Sequence, residues 1–310
     1  MRFFPAFLSL LFALLTAQVS RARIALDPTK AITQYTDNSW TTNTGLPQNS
    51  ITAIAQTNDG YIWLGTEEGL VRFDGVRFTA FDKQNTPGLL SNEIQVLLVD
   101  KENNLWVGTS AGLARFRDGQ LLSYYANTGS TLSLCEDGHG VLWIGTDGAG
   151  LKSLYRGKFK TYSTGDGLPR SAVFAIAADG EDQLWLGTHA GLANFKAGRF
   201  QTYTKKNGLP SEYVKALFRA RDGSLWIGTR EGGLTRRYHG RFTSFGASDG
   251  MASKTVLSVM EDSTGSLWIG TSDAGLSRYR DGRFVSFGKK EGLTSDRVLS
   301  LFQDRDADLW

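Results

Sequence analysis

The chain has 310 residues, enough for one large domain or two ordinary ones. Gly is abundant at 36 and Pro scarce at 6, which excludes collagen-like and Pro-rich chains; 12% aromatic residues favour packed strands over disorder. Basic residues number 34 against 31 acidic ones and the two are interspersed, so no basic block points to nucleic acid as a partner.

The N-terminus reads as an export signal. Arg2 supplies the positive start, an apolar run occupies 3–17, and small residues follow at Ala17, Ser20 and Ala22, which places cleavage after Ala22 or, in the alternative, Ala17. The run falls short of the roughly 20 apolar residues that a membrane span needs. Removing 1–22 takes away Arg2 and Arg21 and no acid, leaving 32 basic against 31 acidic residues, close to neutral. Residues 23–31 read as a leader to the first strand. The single cysteine, Cys135, cannot form an internal disulfide and sits where other repeats place Ala, Leu, Phe or Met, so it is expected to be a small buried hydrophobe.

From residue 32 onward the chain repeats itself. Seven of eight tryptophans form a ladder at Trp63, Trp106, Trp143, Trp185, Trp226, Trp268 and Trp310, spaced 43, 37, 42, 41, 42 and 42 residues apart. Two residues after each of the first six comes a glycine (Gly65, Gly108, Gly145, Gly187, Gly228, Gly270), then a threonine. The fifth period parses into four strands, EYVKALFRA (212–220), SLWIGT (224–229), GLTRRY (233–238) and RFTSFG (241–246), joined by Gly-containing turns and a short loop. Four short strands in about 42 residues is one β-propeller blade. The sequence therefore predicts an all-β propeller over 32–310, six full repeats and part of a seventh, with seven blades in the ring. ITQYT (32–36) matches the outermost strand RFTSF. The last repeat stops at DADLW, so the chain is expected to be a fragment of a longer protein with its last blade truncated.

A buried Trp removes about 150–250 Å² from water, on the order of 4–6 kcal/mol at about 25 cal/mol/Å². The Gly two residues on marks a place where another backbone or ring comes close. The phrase W-x-G-T-x-x-G-L is thus read as scaffold, and the residues that differ between repeats as the place for recognition. The loop joining second and third strands lies on the same rim as the connection between blades. It varies at Glu67, Glu68, Asp147, His189, Arg230, Glu231 and Asp273, and the starts of inner strands add Glu93, Tyr213 and Arg297. Mixed charge with an aromatic suits a small polar ligand or oligosaccharide. The shortened connection 126–134 predicts a cleft beside Asp147 and His189.

Nothing in the sequence builds a catalytic centre. His139, His189 and His239 fall at three different blade phases and do not converge as zinc ligands. DRDAD (304–308) has calcium-like spacing but in phase is the first hairpin turn of its repeat. No nucleophile–base pair or phosphate loop stands out, so no enzyme activity, metal or cofactor is expected. The competing reading is a secreted propeller enzyme or carbohydrate-binding protein, lyase- or sialidase-like.

The run 34–78, with Gly-Leu-Pro (45–47, 167–169, 208–210), Asp-Gly turns and W-[LIV]-G-T-x-x-G-L, resembles the two-component regulator propeller, the extracytoplasmic sensor region of certain bacterial receptors. The resemblance extends over about 32–310. It implies a periplasmic sensor in an inner-membrane-anchored parent, the membrane entering only through a C-terminal region beyond this chain. It further implies a homodimer in the full-length receptor, and a cytoplasmic histidine kinase or diguanylate cyclase as output.

Overall fold

The structure, a computed structural model, describes residues 38–310. The export segment 1–22, the leader 23–31 and the strand expected at 32–36 lie outside the described residues. Twenty-four strands form six sheets, each an antiparallel meander of four strands taken in chain order. Blades one to six occupy 51–81, 94–125, 131–162, 175–203, 214–245 and 256–287. In blade five the strands are Val214–Arg219, Leu225–Thr229, Leu234–Tyr238 and Arg241–Phe245, within the boundaries the sequence predicts. The helical content among the described residues is confined to 3-10 turns of three residues, which sequence patterning does not show. Most cap the blade-to-blade connections: Ser163 and Thr204 each accept a backbone N–H of the turn they precede, and Gly167 and Gly208 end it in the left-handed region at φ 99° and 101°. The Leu that follows each, Leu168 or Leu209, is buried.

The second strand of every blade is buried at all five positions of its Leu/Ile-Trp-x-Gly-Thr segment. Trp63, Trp185 and Trp268 are 2%, 1% and 2% exposed. In five of the six blades the indole N–H is satisfied by the turn that precedes the strand; blade five has Ala220 at that place. Trp106, Trp143, Trp185 and Trp268 donate to Asp100, Asp137, Asp179 and Asp262 over 2.7–3.0 Å. Trp63 uses Thr57 Oγ1 instead. The Asp-containing turns thus brace the ladder as well as reverse the chain.

The ladder glycines mark the blade-to-blade contact. A Cβ on Gly228 would stand 2.5 Å from Val256 Cγ1, on the inner strand of blade six; one on Gly108 would stand 2.5 Å from Val96 and 2.7 Å from Thr131. Gly65, Gly187 and Gly270 meet Ile94, Val214 and Val298 in the same way. A side chain there would push each blade off the next.

Polar contacts tie the opposite rim together. Lys101 donates through its backbone N–H to Glu136 (2.9 Å) and through Nζ to the carbonyls of Asp137 and Gly138. Arg221 repeats this on Glu261, Asp262 and Ser263, and Arg219 pairs with Asp179 at 2.7 Å.

Six four-stranded blades are present where seven were expected. The seventh repeat supplies residues for two strands only, and these form a hairpin with a single bridge, Gln303 to Leu309. Its contact with blade one copies the other junctions: Arg305 donates to Gln56 Oε1 (3.0 Å) and to the Asn58 carbonyl (2.8 Å). Trp310 donates to Asp304 and stacks on Trp40, 5.3 Å between centroids at 12°. Asp304 Oδ1 also accepts the N–H groups of Asp306 and Asp308, so DRDAD is a turn, as its phase requires.

Cys135 is half-buried rather than fully buried, packed at the edge of the core around Trp143, and burial pushes its thiol up to about 11. It is a protonated, unreactive thiol at neutral pH.

Two substitutions test this scaffold. Asp262→Ala strands the Trp268 indole and the N–H groups of Thr264 and Ser266, and should cost about 1–3 kcal/mol, seen as a lower melting temperature. Gly228→Ala should cost a similar ~1–3 kcal/mol by overpacking against Val256, measured by denaturant unfolding.

Candidate functional site

The Thr of the ladder phrase shapes the rim loop. Thr66, Thr109, Thr146, Thr188, Thr229 and Thr271 each donate through Oγ1 to the carbonyl of the Gly that opens the third strand, over 2.7–3.0 Å. In five blades the same oxygen accepts a loop N–H. The loop backbone is therefore closed on itself, and the side chains between Thr and Gly are free to vary. A second bond ties the loop to the inner strand of its own blade. Ser110, Asp147, Arg230 and Ser272 donate their N–H to the carbonyls of Glu93, Ser130, Tyr213 and Thr255 over 2.9–3.2 Å. The two sets of positions singled out in the sequence thus stand side by side on one rim.

Around that rim the residues divide by blade. Glu67, Glu68 and Glu93 are exposed on blades one and two, and none joins an ion pair among the described residues. Asp273 accepts from the hydroxyls of Ser272 in its own loop and of Ser253 in the connection that enters blade six, which ties the two segments together. Glu231 lies 3.8 Å from Arg230, both well exposed, a pair that contributes little. Arg297 stands apart, at a cavity of about 350 Å³ lined by 49–51 on blade one and by 293–295 and 297–300 on the seventh repeat. Neither Asp147 nor His189, where the shortened connection had predicted a cleft, lines that cavity.

Blades four and five carry the one dense cluster of ring and cationic groups on this rim. His189 stacks on Phe174 (4.4 Å, 27°) and meets Tyr213 edge-on at 4.0 Å, while Phe174 and Tyr213 are 5.2 Å apart. Lys215 Nζ sits 4.8 Å from the Phe174 centroid and 5.3 Å from that of Tyr213. The Arg230 guanidinium lies 5.6 Å from Tyr213. Partial burial holds the His189 imidazole below its ordinary range, with Lys215 the next cause. Asp147 acts in the opposite sense, and Arg170 and Arg230 add to the lowering. At neutral pH His189 is therefore a neutral ring with one N–H to donate.

Of the ten positions singled out, the structure joins His189, Tyr213 and Arg230 in this cluster, with Asp147 close enough to influence it. Sequence reading missed Phe174, Lys215 and Arg170. Phe174 and Lys215 occupy an inner-strand position, eleven residues before the ladder Trp, that reads Thr52, Gln95, Leu132, Phe174, Lys215, Leu257 and Leu299 along the chain, half-buried in every case. Its variability was the available signal. Among the described residues no group of three or more His, Cys, Asp or Glu is placed to hold a metal ion.

Comparison with known proteins agrees with the repeat. The family profile for the two component regulator propeller matches residues 45–68, 88–111, 125–148, 208–231 and 250–273. No curated protein matches the chain. Among solved structures, the extracellular domain of BT3049, assigned as a hybrid two component system of B. thetaiotaomicron, is similar with a TM-score of 0.77 and 22% identity. The match covers 88% of this chain and 40% of that one, so the chain spans about two fifths of that domain. Virginiamycin B lyase from Staphylococcus aureus gives a TM-score of 0.67 at 13% identity, over 81% of this chain and 88% of that one. PorZ of Porphyromonas gingivalis, a surface component of the type-IX secretion system, gives 0.65 at 16%, over 83% and 44%. At these identities the likeness is one of fold.

The charge around His189 has a measurable consequence. In an NMR titration the His189 ring should protonate below the ordinary histidine range, and Lys215→Met should move its midpoint upward, because removing a neighbouring cation favours the imidazolium. Five repeats of this chain thus carry the sequence pattern of the two component regulator propeller.

Proposed function

We propose that the chain is the extracytoplasmic sensor propeller of a bacterial signal-transduction receptor. It binds a small polar ligand, with an oligosaccharide as the preferred class, on the rim that carries the second-to-third-strand loops. The match of five repeats to the regulator propeller family carries this reading. The location is periplasmic, and binding is relayed through parts of a longer parent to a cytoplasmic histidine kinase or diguanylate cyclase. Dimerisation belongs to that parent.

The reading assigns these residues to recognition and no bond-making step. The scaffold is uniform from blade to blade, so a ligand that distinguishes one direction around the ring must contact the residues that are not. Tyr213 and Arg230 are such residues. In calorimetric titrations with a panel of oligosaccharides, a ligand should be found whose affinity falls at least ten-fold in Tyr213→Ala or Arg230→Gln, with the melting temperature held. Ligand affinity indifferent to every rim substitution would move recognition elsewhere.

A further inference from the structure

The rings and cations between blades four and five are not needed to hold the propeller together. The core around Trp143 and Leu186 and the core around Trp185 and Ile227 both close without Phe174, Tyr213 or Lys215. Other blades fill the inner-strand position of Phe174 and Lys215 with Thr, Gln or Leu and pack as well. Phe174, Tyr213 and Lys215 remain half-exposed, and His189, Arg170 and Arg230 are exposed.

The cations there also lack good counter-ions. Lys215 and Arg170 join no ion pair among the described residues, and Arg230 has only the distant, exposed Glu231. Instead Lys215 rests against the faces of two aromatic rings, a weaker partner than a carboxylate. The result is a compact, partly exposed cluster of mutually tilted rings next to cations that join no close ion pair among the described residues.

We propose that this cluster is a subsite for a six-membered ring bearing a carboxylate, the uronic acid unit of an acidic oligosaccharide. The inference rests on the sensor reading above and narrows its ligand. The carboxylate would take Lys215 and Arg230 as partners, a charge-assisted pairing for which the guanidinium offers two parallel N–H groups. The exposed sides of this ring cluster, Phe174 and Tyr213 among them, would then pack against the apolar face of the sugar ring. The neutral His189 N–H and the Asp147 carboxylate across the blade boundary provide a donor and an acceptor for sugar hydroxyls. Arenecarboxylates share the charged-ring chemistry but have no hydroxyls to use those groups, and this favours the uronic acid.

Calorimetry on the purified full chain, using glucuronate, glucose and benzoate as probes, tests the proposal. Glucuronate should bind at least ten-fold more tightly than glucose, lose affinity as salt is raised, and exceed benzoate. Lys215→Met and Phe174→Leu should each weaken glucuronate at least ten-fold, while Glu181→Gln, exposed in the first hairpin turn of blade four on the opposite rim, leaves it unchanged. Circular dichroism and melting temperature establish that each variant is folded, and Arg230→Gln replaces any that is not. Equal affinity for glucose and glucuronate, preference for benzoate, or glucuronate binding that survives Lys215→Met would overturn the proposal. Neutral oligosaccharides bound in place of acidic ones would overturn it too, yet leave the sensor reading standing. If no saccharide binds, both fall.

Discussion

The whole ring depends on how closely one blade can approach the next. At each completed junction the inner strand of the following blade occupies the space that a side chain on the ladder Gly would fill. That contact sets the distance between blades, and the distance determines whether the ladder Trp is buried by its neighbour or left partly in water. Burial of a large aromatic contributes more than any one polar contact in the repeat. The Gly and the Trp are therefore two halves of one packing arrangement, which is why they repeat in register.

The polar groups of the phrase follow from the same burial. An indole N–H taken from water needs a partner, and a turn Asp or Thr supplies it. A loop that must leave a fully buried strand and re-enter the sheet two or three residues later has backbone groups to satisfy. The Thr hydroxyl meets that need by donating to the Gly carbonyl and accepting a loop N–H. Once these bonds are made, the loop backbone no longer depends on what its intervening side chains are. Recognition can then change from blade to blade without disturbing the fold.

This separation explains what was legible from the residues alone. The ladder, the four strands per period and the rim positions all follow from repetition, because packing that recurs leaves a recurring mark. Phe174 and Lys215 escaped notice because, of the residues at the starts of the inner strands, only Glu93, Tyr213 and Arg297 were read as candidates for recognition. Only the alternation of that strand, one face to the neighbouring blade and the next residue toward the rim, reveals that its variable position is free. The seventh blade was over-counted because a sequence phase says what a repeat would become, while a sheet needs all four strands to be present. The 3-10 turns were not foreseen because three residues give no period to read.

The departure from symmetry is itself spatially ordered. Acidic side chains gather on the rim of blades one and two, and rings with cations on blades four and five. The loops of both regions close with the same bond from Thr to Gly, and the different side chains on and beside them produce a field across the rim. A charged ligand entering that field is turned before it makes contact, its negative end toward Lys215 and Arg230. In the proposed sensor, a near-symmetric scaffold would give rigidity, and the few residues that break the symmetry would give a ligand only one way to lie.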